Sequence, residues 1–205
     1  MSGRNTPARF VLASANPDKV AEMEAILAPA GLELVPRPAG VPEVDETGDT
    51  LLDNARLKAV ALVDATGLPA VADDTGLAVD ALDGAPGVRS SRYAGPSATY
   101  EDNVAKLLVA LEGIPDDRRT ARFETVALAR FPDGAEVVAT GTVEGRIATR
   151  PRGDGGFGYD PVFVPVEGDG RSFAEMTAGE KHDLSHRGRA FRALGRHLLA
   201  EPGEP

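Results

Sequence analysis

The chain has 205 residues, enough for one domain that buries roughly 70% of its unfolded surface without staples. Lys and Arg number 22 against 32 Asp and Glu, a net charge of −10; this disfavours a protein built to lie on a nucleic-acid backbone, but not one that holds a small phosphorylated ligand with a divalent cation. There is no cysteine, which excludes disulfides, thiolate zinc sites and cysteine nucleophiles.

The elements are read in chain order. Arg9 to Ala13 is a short apolar strand, and Ser14-Ala15-Asn16 a turn. Asn16 serves as N-cap and Pro17 as first helical residue for a helix with Val20, Met23 and Leu27 on one face. Leu32 to Val35 reads as a strand. Leu51, Ala55, Ala59 and Leu62 have helical spacing, giving a helix from about Thr50 to Asp64. Gly67-Leu68-Pro69 breaks it. Ala70 to Ala72 is expected as a buried strand and Leu77 to Leu82 as another, with Asp73-Asp74-Thr75-Gly76 between them. Thr99 and Asp102 form a capping box for a helix through Leu111. Ala121 to Phe131 and Val137 to Ile147 are two long strands around Pro132-Asp133-Gly134, an antiparallel hairpin. Pro161 to Pro165 is a further strand, and Leu184, Phe191, Leu194 and Leu198 mark one last helix. The sum is an α/β domain with a twisted mixed sheet and an antiparallel extension. It spans residues 1–199, with a disordered tail over 200–205. No 18-residue apolar window or apolar leader is present, so a soluble cytoplasmic protein is expected, without membrane or nucleic-acid partners.

Charge is uneven: residues 41–85 hold ten acids and two bases, whereas 146–197 hold nine bases, seven acids and all three histidines. Five groups of residues have chemical potential. At Leu12 to Lys19 a strand enters a helix start, where free N–H groups and the helix dipole favour an anion and Lys19 adds a cation. Asp73-Asp74 is expected at the carboxyl end of a strand, where open α/β sheets place ligands; hard oxygen donors suit Mg²⁺, and strand alternation lets one of the two reach a given metal. Asp45-Glu46-Thr47-Gly48 precedes Asn54 and Lys58, four apart on one helix face, a pair suited to phosphate with a further acid for metal. Gly153 to Pro161 surrounds Phe157 with glycines that let backbone approach a flat ligand, and Phe157 can stack on a nucleobase. Lys181 and Ser185-His186-Arg187 offer donors to a base carbonyl. The histidines have no spacing that matches a known metal motif.

The order of these groups is more specific than any one of them. Ser14-x-Asn16-x-x-Lys19, Glu46-Thr47-Gly48, Asn54-Ala55-x-x-Lys58-Ala59, Ala72 to Leu77, Gly84 to Gly87 with Ser91-Arg92-Tyr93, Gly156 to Pro161 and Ser185-His186-Arg187 follow one another over residues 9–199. This closely resembles the inosine triphosphate pyrophosphatase family, the Ham1-like non-canonical purine nucleotide hydrolases. The resemblance implies hydrolysis of ITP, dITP and XTP to monophosphate and pyrophosphate with Mg²⁺. It implies an elongated α/β fold with two lobes around a cleft, and a homodimer. Carried over by position, Ser14, Ala15, Asn16, Pro17, Asp18 and Lys19 bind the triphosphate. Asp74 is the catalytic carboxylate and a Mg²⁺ ligand, with Glu46 or Asp45 also on the metal. Asn54, Lys58 and Thr75 meet substrate, and Phe157, Gly158, Tyr159, Asp160, Lys181, His186 and Arg187 form the base and sugar pocket. Two rival readings are Maf-like pyrimidine nucleotide pyrophosphatases, disfavoured by Gly156 to Pro161 and Ser185 to Arg187, and a nucleotide sensor, which has no need of Asp74, Glu46 and Lys19 as a hydrolytic set.

Overall fold

A computed structural model describes residues 9–200. Three buried apolar residues after Arg9 make β1 (Arg9–Leu12), and the chain then turns into α1 (Pro17–Leu27). Asn16 caps α1: its side-chain oxygen accepts from the N–H groups of Asp18 at 2.9 Å and Lys19 at 3.3 Å, while Pro17 supplies the fixed φ of a first helical residue. After β2 (Glu33–Val35) comes α2 (Leu51–Thr66), capped by Thr50 and stopped by Gly67 at φ 67°. Then follow β3 (Ala70–Val79), β4 (Pro86–Gly87), α3 (Tyr100–Ala110), β5 (Thr120–Arg130), β6 (Glu136–Ile147), β7 (Phe163–Pro165), α4 (Ala178–Leu184) and α5 (His186–Leu199). Short 3-10 turns join several of them. The sheet has seven strands in the order β2-β1-β3-β5-β6-β7, with β4 on β3. β1 runs parallel to β2 and β3, whereas β4 is antiparallel to β3 and β7 to β6. This is the mixed α/β sheet with an antiparallel extension that the periodicities predict.

The chain forms two compact units. The first holds the chain through Asp74, Val126–Ala139 and the chain from Ala190. Its strands bury both faces, as strand alternation requires. Phe10, Leu12, Val71, Ala127 and Ala129 pack with Met23 and Leu27 of α1 and Phe191 and Leu194 of α5. Val11, Ala70, Ala72 and Leu128 point the other way, against Ala55, Ala59 and Leu62 of α2. Each fully buried large side chain contributes about 1.5–3 kcal/mol, so helix spacing and strand alternation select the same register. The second unit holds Thr75–Thr125 and Thr140–Arg189. Leu77, Val79, Phe123, Val143, Phe163 and Phe173 form its core with Val104 and Leu107 of α3.

Three expectations are corrected. The stretch Asp73 to Gly76 does not separate two strands: β3 runs unbroken through it and is buried at nine of its ten residues. Asp and Gly favour turns in isolation, but here both carboxylates have cationic partners and the strand continues. Residues 80–82, expected to extend a strand, form a 3-10 turn. The last helix is two helices, because Ser185 is extended (φ −71°, ψ 157°) between α4 and α5. Its hydroxyl accepts from Gly188 N–H at 3.1 Å, which starts α5 afresh. The two-residue strand β4 carries no sequence signal of its own. The expected tail over 200–205 lies, apart from Ala200, outside the described residues. Among the described residues no helix is long and apolar enough to cross a membrane.

Candidate functional site

The first unit carries a cluster of paired charges. Asp73 and Asp74 are 2% and 4% exposed, within β3 rather than after it. As neighbours on a strand they face opposite ways. Asp73 meets Lys19 of α1, Nζ to Oδ2 3.4 Å. Asp74 meets two residues of α2: Asn54 donates to Oδ2 at 3.1 Å and Lys58 Nζ lies 3.2 Å from Oδ1. Lys58 also reaches Glu46 Oε1 at 3.0 Å. Asn54 and Lys58 share a helix face, as their spacing of four predicts. Asn54 also ties the cluster together: its Oδ1 accepts from Gly48 N–H at 2.8 Å while its amide donates to Asp74. Gly48 is required there, since a Cβ would lie 2.6 Å from that of Asp53 and 2.8 Å from Asn54 Oδ1.

Burial raises the Asp74 pKa above the ordinary aspartate value, against the opposing pull of Lys58 and Lys19. Burial alone would lower the Lys58 pKa, but Asp74, Asp73 and Glu46 together raise it, so the ammonium is kept. Of the two acids expected near a metal, Glu46 stands in this cluster; Asp45 is exposed. In the turn before α1, Ser14 Oγ accepts from Asn16 N–H at 3.2 Å, and Ala15, Pro17 and Asp18 are exposed. Arg37, absent from the sequence reading, ties the loop after β2 to this turn. It donates to Ala13 O at 2.9 Å and Val41 O at 3.0 Å.

The second unit carries an aromatic and glycine-rich cluster. Phe157 N–H donates to Asp160 Oδ2 at 2.8 Å, and the same oxygen receives Lys181 in a short ion pair. Gly156 has φ 66°, and a Cβ there would come within 2.1 Å of Asp160 Oδ2, so glycine alone lets the loop close over its aspartate. Lys181 Nζ lies 4.6 Å and Arg187 Cζ 5.4 Å from the Phe157 ring centre, both at cation–π range. Tyr100 of α3 meets the same ring at 5.8 Å. Arg187 also donates to Thr75 Oγ1 at 3.1 Å, and that hydroxyl shares a 2.7 Å hydrogen bond with Thr125.

Two members of the expected pocket also pack within the unit. The Tyr159 hydroxyl donates to Ser90 O at 2.9 Å, and burial pushes its pKa up. His186 is 3% exposed and lies flat on Phe123, ring centres 4.3 Å apart. Beside Phe157 is a recess of about 480 Å³ lined by Tyr100, Val104, Leu108, Pro151, Gly158 and Pro161, among others. The structure therefore groups Glu46, Asn54, Lys58 and Asp74 in one unit, and Thr75, Phe157, Asp160, Lys181 and Arg187 in the other. Asp73, weighed in sequence only as the alternative to Asp74, joins the first cluster through Lys19, and Tyr100 joins the second without any sequence signal.

Comparison with known proteins gives a consistent result. A model of the Ham1 family matches residues 10–197. The dITP/XTP pyrophosphatase of Streptomyces coelicolor is 50% identical over 190 residues, 91% of this chain and 94% of that protein. That of Methylococcus capsulatus is 48% identical over 198 residues, 95% of this chain and 98% of its own length. Among solved structures, a HAM1 protein from Coxiella burnetii superposes with a TM-score of 0.84 at 44% identity, covering 93% of this chain and 98% of the other.

Proposed function

The chain belongs to the Ham1 family, and from that premise we propose that it is a pyrophosphohydrolase that converts ITP, dITP and XTP to the monophosphate and pyrophosphate. The observation that carries the reaction is the buried Asp74 carboxylate held by Asn54 at 3.1 Å and Lys58 at 3.2 Å. Water attacks the α-phosphorus, the bond from that phosphorus to the bridging oxygen breaks, and pyrophosphate leaves. Asp74 orients the water and takes its proton. A raised pKa makes it a better base than an ordinary aspartate once it is ionised. Lys19 and Lys58 offset the charge that builds on the departing pyrophosphate.

The donor set fits Mg²⁺. Among the described residues no group of three or more His, Asp or Glu side chains is poised around a metal position. Mg²⁺, however, takes one or two carboxylates and completes its shell with water and substrate phosphates. Glu46 and Asp74, both against Lys58, supply those two hard oxygen ligands. When bound, the ion neutralises phosphate charge and polarises the α-phosphate.

Base choice belongs to the aromatic cluster. Phe157, the glycine backbone and the apolar recess suit a flat ring. Arg187 donates to an O6 acceptor; adenine presents an amino donor there, which leaves a buried donor unsatisfied at about 1–3 kcal/mol. Guanine also carries O6, so it is told apart at the 2-position. By family resemblance we further propose a cytoplasmic homodimer, which sedimentation of the purified chain checks. The reaction is tested by ³¹P NMR of ITP turnover: inosine monophosphate and pyrophosphate are expected, whereas the diphosphate and orthophosphate would refute it.

A further inference from the structure

Lys58 sits on the two carboxylates that the proposed metal site uses. Its Nζ is 3.0 Å from Glu46 Oε1 and 3.2 Å from Asp74 Oδ1, and its side chain is 12% exposed. The other Asp74 oxygen accepts from Asn54 at 3.1 Å. Both oxygens of Asp74 are thus engaged, and the ammonium supplies the positive charge that two converging carboxylates need. Mg²⁺ binds carboxylate oxygen at about 2.0–2.1 Å. Bound to the same two carboxylates, it competes with the ammonium for their charge and sets a double positive charge beside a single one. A lysine can leave such a place, because its compact ammonium is carried on a flexible four-carbon stem.

We propose that Lys58 is an internal stand-in cation, which offsets part of the charge of Glu46 and Asp74 while no metal is bound and transfers to a substrate phosphate when metal and nucleotide arrive. The inference rests on the reading of Glu46 and Asp74 as metal ligands. It makes metal binding and phosphate binding cooperative through one side chain. Metal alone has to expel an ammonium that then has no counter-ion, whereas triphosphate gives that ammonium a new one. The same lysine keeps the dicarboxylate from collecting divalent cations when no substrate is present.

The test is Mn²⁺ binding to the full chain, followed by the EPR signal of the free ion, without nucleotide and with the α,β-imido analogue of ITP. Lys58→Met keeps the stem and removes the charge. It is expected to bind Mn²⁺ alone at least tenfold more tightly than wild type. The tightening caused by the analogue should be smaller in the variant than in wild type. Mn²⁺ bound alone by Lys58→Met no more tightly than by wild type overturns the inference and leaves the metal reading standing. Absence of Mn²⁺ binding to either protein, even with the analogue, contradicts the metal reading and the inference together. If Lys58→Met does not fold, Lys58→Gln carries the same expectation. The wild-type protein gives an independent readout: the ¹⁵Nζ resonance of Lys58 should move on saturation with Mg²⁺ and analogue. An unmoved resonance overturns the displacement.

Discussion

The two clusters are built from different physics. In the first unit the candidate groups are carboxylates and ammoniums at 3.0–3.4 Å, Lys19 with Asp73 and Lys58 with Glu46 and Asp74. Two ammoniums share three carboxylates, so a phosphate or a metal arriving there changes who pairs with whom. In the second unit one buried pair, Lys181 with Asp160, braces a glycine loop whose working surface is the Phe157 ring. Shape decides there, and charge holds the shape. The lesson is a division of labour: charge rearrangement suits phosphoryl chemistry, and a braced aromatic loop suits selection of a flat base.

The variant with the largest expected effect isolates the chemistry. Asp74→Asn keeps the Asn54 contact within reach but removes the base, and positioned acid–base groups contribute about 10²–10⁴-fold. Turnover should fall by at least that lower factor with the circular dichroism spectrum unchanged; a variant that keeps more than about a tenth of wild-type turnover, roughly 1.4 kcal/mol of barrier, shows that Asp74 is not the catalytic group.

The brace is tested by stability rather than rate. Asp160→Asn leaves the buried Lys181 ammonium, 4% exposed, without its counter-charge. Breaking a buried pair costs about 3–5 kcal/mol, and at about 2–4 °C per kcal/mol for a chain of this size the melting temperature should drop by about 6–20 °C. A drop under about 2 °C would mean the loop is held by something else. Lys19→Ala should weaken triphosphate affinity by about tenfold, or 1.4 kcal/mol, and inosine affinity far less; isothermal titration with both ligands checks it, and equal losses would move Lys19 out of the phosphate site. Arg187→Ala should lower kcat/KM for ITP and XTP by about 10–150-fold, in keeping with a lost hydrogen bond to a charged donor at about 1.5–3 kcal/mol, while that for ATP barely changes.

The smallest effect is a displaced pH limb. Asp74 must be ionised to accept a proton, and burial raises its pKa despite Lys58 and Lys19. At limiting Mg²⁺ the acid limb of kcat/KM should therefore lie above that of an ordinary aspartate, and it should move down as Mg²⁺, proposed to bind the same carboxylate, is raised. For stability the sign is opposite. A carboxyl whose folded pKa is raised contributes stability below its unfolded pKa and loses it as pH rises through the folded value. An acid limb that stays at the ordinary aspartate position at every Mg²⁺ concentration would contradict that shift.

Much of the first unit was legible because periodicity and capping agree. Asn16-Pro17 starts α1, Thr50 caps α2, and Gly67 ends it. Asn54 and Lys58 follow from the spacing alone. What escaped was decided by long-range pairing. Asp73 to Gly76 reads as a turn because those residues favour turns, yet Lys19, Asn54 and Lys58 satisfy the carboxylates and the strand continues. Ser185 divides the last helix with its own hydroxyl, a local signal that the apolar spacing of Leu184 and Phe191 hides. The second cluster was less legible still. His186 and Tyr159 give no sign in sequence of the residues they pack on, Phe123 and Ser90, which lie 63 and 69 residues away. Arg37 carried no signal, because three backbone carbonyls are invisible in a side-chain pattern.

The division of labour is tested most directly by one set of rates: kcat/KM for ITP and for ATP in wild type, Asp74→Asn and Arg187→Ala. Asp74→Asn should lower both substrates by a similar factor and leave their ratio within about twofold of wild type, because it acts on chemistry common to both. Arg187→Ala should shrink the ITP-to-ATP ratio by about 10–150-fold, a cost of about 1.5–3 kcal/mol in selective binding. A ratio that Asp74→Asn shifts as far as Arg187→Ala does, or that Arg187→Ala leaves unchanged, would contradict the assignment of chemistry to one cluster and base choice to the other.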